Sequence, residues 1–258
     1  MSEYLRDYYE KYDEEGRLVS RHGSVEFLTT MKYIERYSQA GHRVLEIGAG
    51  TGRYSHALAR QGYEVDAVEL IEHNIEIFRK NTSPDEKISI VQGDARDLKA
   101  FADNTYDITL VLGPMYHLFT KEDKLKVISE AIRVTKSGGV VFIAYCISDA
   151  SLLSACFAKN RIHEFMHLID PLTFKTHSNL EDIFVLYRKE EIDELMADFT
   201  ATRLHYVAAD GYARHMIETM AAWDDEMFEL YLQYHFATCE REDMAGISHH
   251  VLDIFRKD

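Results

Sequence analysis

The segment Val44-Leu45-Glu46-Ile47-Gly48-Ala49-Gly50-Thr51-Gly52 restricts the fold of this chain more than any other stretch of it. It reads as a short buried strand, three glycines at alternate positions, and then a helix whose stripe carries Tyr54, Leu58 and Ala59. Glycines let the backbone turn sharply and let a ligand approach main-chain atoms that a Cβ would shield. A nucleotide-type ligand is implied. The spacing is G-x-G-x-G, with Arg53 where a dinucleotide fingerprint places its third glycine, which weighs against pyrophosphate recognition.

Further short apolar runs follow at 65–68, 88–91, 108–112 and 140–146, and helical stripes alternate with them: Ile71, Ile75 and Phe78, then Leu125, Ile128, Ile132 and Val134. This alternation predicts βαβ units and a doubly wound, mostly parallel α/β sheet. Lys136-Ser137-Gly138-Gly139 is read as the stop of a helix and a turn into a buried strand. Ahead of the core, Val25, Leu28, Met31 and Ile34 recur every third residue and Tyr4, Tyr8 and Tyr12 every fourth, so residues 1–40 form a helical extension. Beyond the fifth strand, residues 151–200 read as largely helical with a loop at Asp170-Pro171, residues 201–208 as a strand, 212–236 as one amphipathic helix, and 249–255 as a last strand. Neither repeats nor linkers divide residues 41–258, which are expected to make one domain.

The charge narrows the partners. Among 258 residues, 29 Lys+Arg stand against 44 Asp+Glu, a net charge of −15, and the cations are dispersed. That balance repels a polyphosphate backbone, so a nucleic-acid substrate is disfavoured. The three cysteines, Cys146, Cys156 and Cys239, show no C-x-x-C spacing and fit a reducing, cytoplasmic setting. The longest strongly apolar run, 140–147, is too short to span a bilayer, and the N-terminus has no apolar signal segment, so no membrane association is expected.

Two acids stand at the tips of neighbouring strands. Glu69 closes the second, about twenty residues after the glycines, where a carboxylate accepts both hydroxyls of a ribose. Asp94, in Gln92-Gly93-Asp94-Ala95, follows the third and is placed to accept from an exocyclic amine such as adenine N6; an Asp after Gly is also an ordinary turn residue.

In combination these residues resemble the class I S-adenosylmethionine-dependent methyltransferases, with the match running in order through about residues 41–147. The resemblance implies a seven-stranded Rossmann-like sheet whose seventh strand is antiparallel and inserted beside the fifth. It also implies S-adenosylmethionine as cofactor and S-adenosylhomocysteine as product. By the same resemblance Glu46, Gly48, Ala49, Gly50 and Gly52 lie against the amino-acid part of the cofactor, and Glu69 takes the ribose hydroxyls. Leu70 packs on the adenine, Asp94 and the Ala95 amide read its edge, and Leu112 borders the site. Gly113-Pro114-Met115-Tyr116-His117-Leu118 stands where the family keeps its fourth motif, beside the transferable methyl. Gly113 lacks the side-chain acceptor that amino-directed nucleic-acid enzymes carry there, and the sequence resembles a Gly-Pro-Leu-Tyr-His-Leu variant of a bacterial subgroup.

Methyl transfer from a sulfonium is a displacement governed mostly by positioning, with a base needed only for a protonated acceptor. His117 has the residue type for that base and Tyr116 could orient it; equally, both could simply pack. Tyr12, Arg21 and His22 are candidate substrate contacts from a lid at residues 1–40, and the acceptor pocket is expected around 148–235. No metal site is expected. His163 and His167 lack an H-E-x-x-H acid, and His249 and His250 should point to opposite faces of a strand. The reading is therefore a methyltransferase for a small-molecule acceptor, with a non-catalytic binder of the same cofactor or an NAD-dependent oxidoreductase as alternatives.

Overall fold

In the computed structural model, which describes residues 3–12, 16, 18–179 and 184–258, seven strands form one sheet in the order β3-β2-β1-β4-β5-β7-β6. They are β1 (Arg43–Ile47), β2 (Glu64–Glu69), β3 (Ile88–Gln92), β4 (Tyr106–Val111), β5 (Thr135–Cys146), β6 (Ala201–Ala208) and β7 (His250–Lys257). Strands β1 to β5 pair in parallel, and β7 lies antiparallel between β5 and β6. The doubly wound sheet and the inserted antiparallel strand are both as the sequence implies.

Strand alternation divides the core. Val44, Ile108, Leu110 and Phe142 face one side with Leu58 and Ile34, while Leu45, Ile47, Val111, Val141 and Ile143 face the other with Val127, Ile128 and Ala131. The covering helices are α1 (Glu3–Tyr9), α2 (Arg21–Tyr37), α3 (Arg53–Arg60), α4 (Glu72–Asn81), α5 (Lys121–Val134), α6 (Lys189–Met196) and α7 (Asp225–Thr238). Helix α2 is started by Ser20, whose hydroxyl accepts from the Gly23 amide. Its Val25 and Ile34 are fully buried, so α2 packs into the core layer. Among the described residues no helix is long and apolar enough to cross a membrane.

Three segments depart from expectation. Helix α5 runs directly into β5, and residues 136–139 form a bulge instead of a turn, the register passing from Tyr106↔Thr135 to Ile108↔Val140. A side chain at Gly139 would come within 2.9 Å of the Asp107 carbonyl oxygen, which is why the bulge carries glycine. The single helix expected at 212–236 is broken into Ile217–Ala221 and α7, because Asp224 caps the Met227 amide and starts a new helix. The 151–200 region is only partly helical: Leu152–Phe157 is a π-helical stretch, while the loop expected at Asp170-Pro171 is present, with Asp170 accepting from the Leu172 and Thr173 amides.

Helix α7 also buries His235 against α2. The Thr29 hydroxyl donates to the Val25 carbonyl, so its oxygen accepts from His235 Nε2–H. Burial pushes the His235 imidazole down to about 4. The folded protein then binds fewer protons than the unfolded chain, and the stability from neutral His235 is complete above about pH 6.5 and lost as pH falls toward 4, by roughly 3 kcal/mol. The melting-temperature gap between the wild type and His235→Gln is expected to narrow between pH 7 and pH 4.5; a gap independent of pH would refute this.

Candidate active site

The register sets Ile47 beside both Val68 and Val111, so the chain leaving β1 emerges between β2 and β4, where the strand order reverses. Open α/β sheets bind ligands at such a point. The Gly48 and Ala49 amides donate to the Val68 carbonyl at 2.8 and 3.1 Å. Gly48, Gly50 and Gly52 take φ of 75°, 56° and 90°, backbone that L side chains avoid. A Cβ on Gly48 would sit 2.6 Å from Pro114 Cδ, and one on Gly52 2.4 Å from the Phe78 ring. Gly48→Ala is accordingly expected to cost about 2–4 kcal/mol, strain plus overpacking. Urea denaturation checks it, and a loss under about 1 kcal/mol would show that Pro114 yields easily.

Around the loop, Glu46 is buried beneath it and accepts from both the amide and the hydroxyl of Ser55, tying β1 to the first turn of α3. Burial pushes its carboxyl up to about 8. Glu69, also buried, accepts from the Gly50 amide at 2.8 Å with one oxygen and from the Ile71 amide and the Asn74 side chain at 2.9 and 3.3 Å with the other. Desolvation raises its carboxyl while those donors oppose the rise. A carboxylate has about four lone-pair sites, so beside these three donors about one remains, on the oxygen that Gly50 holds. Leu70 is half-buried, and its carbonyl accepts from Gln92 Nε2 at 3.2 Å.

Asp94 follows β3, but both its oxygens are engaged by Arg96: Nε and the amide reach one, Nη2 the other at 2.6 Å. Arg96 holds the Asp94 carboxyl below the usual carboxylate range. Ala95 is half-buried and Leu112 is buried in the core.

Gly113-Pro114 returns to the glycine loop, Pro114 against Gly48, and opens the 3-10 turn Pro114–His117. Two bonds hold this turn from outside: Val185 N–H donates to the Tyr116 carbonyl at 2.6 Å, and the Tyr187 hydroxyl to the Met115 carbonyl at 2.7 Å. Tyr116 is buried. His117 Nε2 is 2.9 Å from the Tyr9 hydroxyl of α1, and its ring lies 5.2 Å from that of Phe184. Tyr8 meets Phe184 edge-on at 5.4 Å and stacks on Tyr12 at 4.9 Å. An aromatic cover therefore lies over His117, with Tyr12 at its exposed rim.

The structure takes Arg21 elsewhere. Its guanidinium pairs with Asp225 at 2.8 Å and lies over the Phe228 ring, so it is drawn to α7 and not to the loop. His22 bonds to Ser20 Oγ and feels Arg214, Asp210 and Glu26, on the side of the sheet where β7 begins.

A methyltransferase-domain family model matches residues 45–143, the span from β1 into β5. An uncharacterized methyltransferase of Bacillus licheniformis is 30% identical over 152 residues, 57% of this chain and 69% of that one. This chain belongs to the S-adenosylmethionine-dependent methyltransferases. It is also 29% identical to the glycine/sarcosine N-methyltransferase of Aphanothece halophytica over 55% of this chain and 53% of the relative, so it spans about half that relative's length. A solved structure from Pyrococcus horikoshii OT3 shares the fold end to end, with a TM-score of 0.62, 18% identity and full coverage of both chains.

S-adenosylmethionine is the cofactor of this family, and the methyltransferase's own residues fit it: three left-handed glycines bare of Cβ beside a buried carboxylate that retains acceptor capacity. Reading the sequence missed Arg96, whose signal is a cation two residues beyond a turn acid. It also placed His249 and His250 on opposite faces. The structure corrects this: β7 starts only at His250, so alternation does not govern His249, and the two rings meet at 4.5 Å. Glu26 and Asp210, both buried beside His250, were missed as well; an acid flanking Val25 on a buried helix face is the available signal.

Proposed function

We propose that this methyltransferase transfers a methyl group to a small-molecule acceptor by in-line displacement, with His117 as the acceptor's base and Tyr116 as a wall that orients it. The observation that carries this reading is the joint at Gly48 and Pro114, which sets the turn bearing His117 directly against the glycine loop. The cofactor, when bound, supplies an electrophilic methyl on a sulfonium. Glu69 is placed to accept the ribose hydroxyls, the loop 48–52 to hold the amino-acid end, and Asp94, braced by Arg96, to accept from the adenine amine.

The aromatic cover from α1 and Phe184 leaves His117 half-buried, and the partial desolvation strengthens the polar contacts beneath it. His117, oriented by the Tyr9 hydroxyl, takes a proton at its imidazole from a hydroxyl or ammonium acceptor. The relative named for glycine and sarcosine supports a small acceptor.

The test is calorimetric titration of ligand-stripped protein with S-adenosylmethionine, S-adenosylhomocysteine and NAD, followed by a panel of amine, hydroxyl and carboxylate acceptors with labelled methyl donor. Micromolar binding of the first two and label transfer to a small acceptor are expected. Binding of NAD alone would overturn the reading, and tight cofactor binding with no transfer across the panel would favour a non-catalytic binder.

A further inference from the structure

Glu26 of α2, Asp210 just past β6 and His250 at the start of β7 each bring one donor atom to within 4.8 Å of the others. The three side chains are buried, none more than 12% exposed. His250 Nδ1 is 2.9 Å from Asp210 Oδ2, 3.2 Å from Glu26 Oε2 and 3.4 Å from His249 Nδ1. A ring nitrogen carries one hydrogen at most, so it bonds well to only one of these three neighbours. Ligand bonds of about 2.0–2.1 Å in a tetrahedron hold donor atoms about 3.3 Å apart, and His250 Nδ1 stands 2.9 and 3.2 Å from the two carboxylate oxygens.

Charge points the same way. Two carboxylates and a neutral imidazole carry the two negative charges that one divalent cation balances. Asp210 is also aimed. The Ser248 hydroxyl, whose one hydrogen is shared with the His250 carbonyl, lies 2.7 Å from its Oδ1, and the His250 amide donates to the same oxygen at 3.1 Å, leaving Oδ2 turned to His250. Hydrogen bonds from outside a metal's ligands fix ligand orientation in this way.

We infer that Glu26, Asp210 and His250 bind one divalent transition-metal ion. One imidazole with two carboxylates suits Zn²⁺ or Mn²⁺, and three protein ligands leave a further position for water or a ligand's oxygen or nitrogen. His249 borders that position, as does Cys146, which pairs with His250 across β5 and β7. The Tyr116 ring is 5.8 Å from His250, so the ion lies next to the turn that carries His117. The inference stands on this cluster alone and does not require methyl transfer.

Metal-stripped full-length protein is titrated calorimetrically with Zn²⁺ and, separately, Mn²⁺, and retained metal is counted by elemental analysis after gel filtration. One equivalent of at least one ion is expected, with a Kd at or below about 1 µM. Asp210→Asn and His250→Ala should weaken it at least 100-fold and Ser248→Ala about tenfold, while cofactor affinity and the melting curve of the stripped proteins report that the fold persists. Should Asp210→Asn and His250→Ala not fold, Glu26→Gln and Ser248→Ala decide. Failure of the wild type to retain stoichiometric metal overturns the inference, as does metal affinity unchanged in the folded variants.

Discussion

Replacing Glu69 with alanine is expected to weaken S-adenosylhomocysteine binding by about three orders of magnitude. The side chain is buried at the tip of β2, and on the proposed assignment its removal takes an acceptor from the ribose hydroxyls; hydrogen bonds to a charged group contribute about 1.5–3 kcal/mol each. The change also frees the Gly50 amide and Asn74, both held by Glu69, so the glycine loop loses its brace. A thousandfold change is about 4 kcal/mol, within the reach of these losses. Glu69→Gln, which keeps the volume and one acceptor oxygen, should fall between, at about tenfold to hundredfold. Calorimetry with the product avoids turnover during the titration, and an affinity in Glu69→Ala equal to the wild type's would sink the ribose assignment.

Replacing His117 with alanine is expected to lower kcat by about 10²–10³ with a protonated acceptor while leaving cofactor affinity within about threefold, because a positioned base contributes that much to rate and little to binding. Tyr9→Phe removes only the hydroxyl that meets Nε2 and should cost about tenfold or less. An acceptor whose nucleophile carries no proton, such as a thioether, supplies the control: its methylation should be insensitive to His117→Ala. Equal losses on both kinds of acceptor would assign His117 to packing beneath α1.

The placement of the residues proposed to hold the cofactor was readable because it depends on local rules. Gly48 to Gly52, Glu69 and Asp94 are strand-tip residues, and the position of a strand tip follows from apolar alternation and the turn that ends it. What surrounds them was not readable, because it depends on pairings across the chain. Arg96 closing on Asp94 needed the shape of the turn, and Arg21 is claimed by Asp225, more than two hundred positions away in sequence. The broken helix at 212–236 shows the opposite failure: its apolar stripe continues through a cap, Asp224, that local chemistry could have flagged. His249 and His250 came together because the strand begins one residue later than the apolar pattern suggests. Glu26 and Asp210 meet His250 only through packing between α2, the end of β6 and the start of β7, which alternation along one strand does not report.

The place of β7 in the sheet has a bearing on how the protein is made. It is the last of the seven strands in chain order, yet it lies inside the sheet, bonded to β5 over 140–146 and to β6 over 201–208. During synthesis the first five strands can zip together in sequence, but β5 then waits with one edge bare, and β6 has no neighbour until β7 emerges. The same strand delivers His250 to Asp210 and Glu26. A nascent chain can therefore complete the glycine loop and the tips of β2 and β3 well before it has assembled the polar cluster beside Tyr116, and a ribosome that stalls short of β7 leaves a half-built enzyme with an open edge, the kind of species that chaperones and proteases recognise.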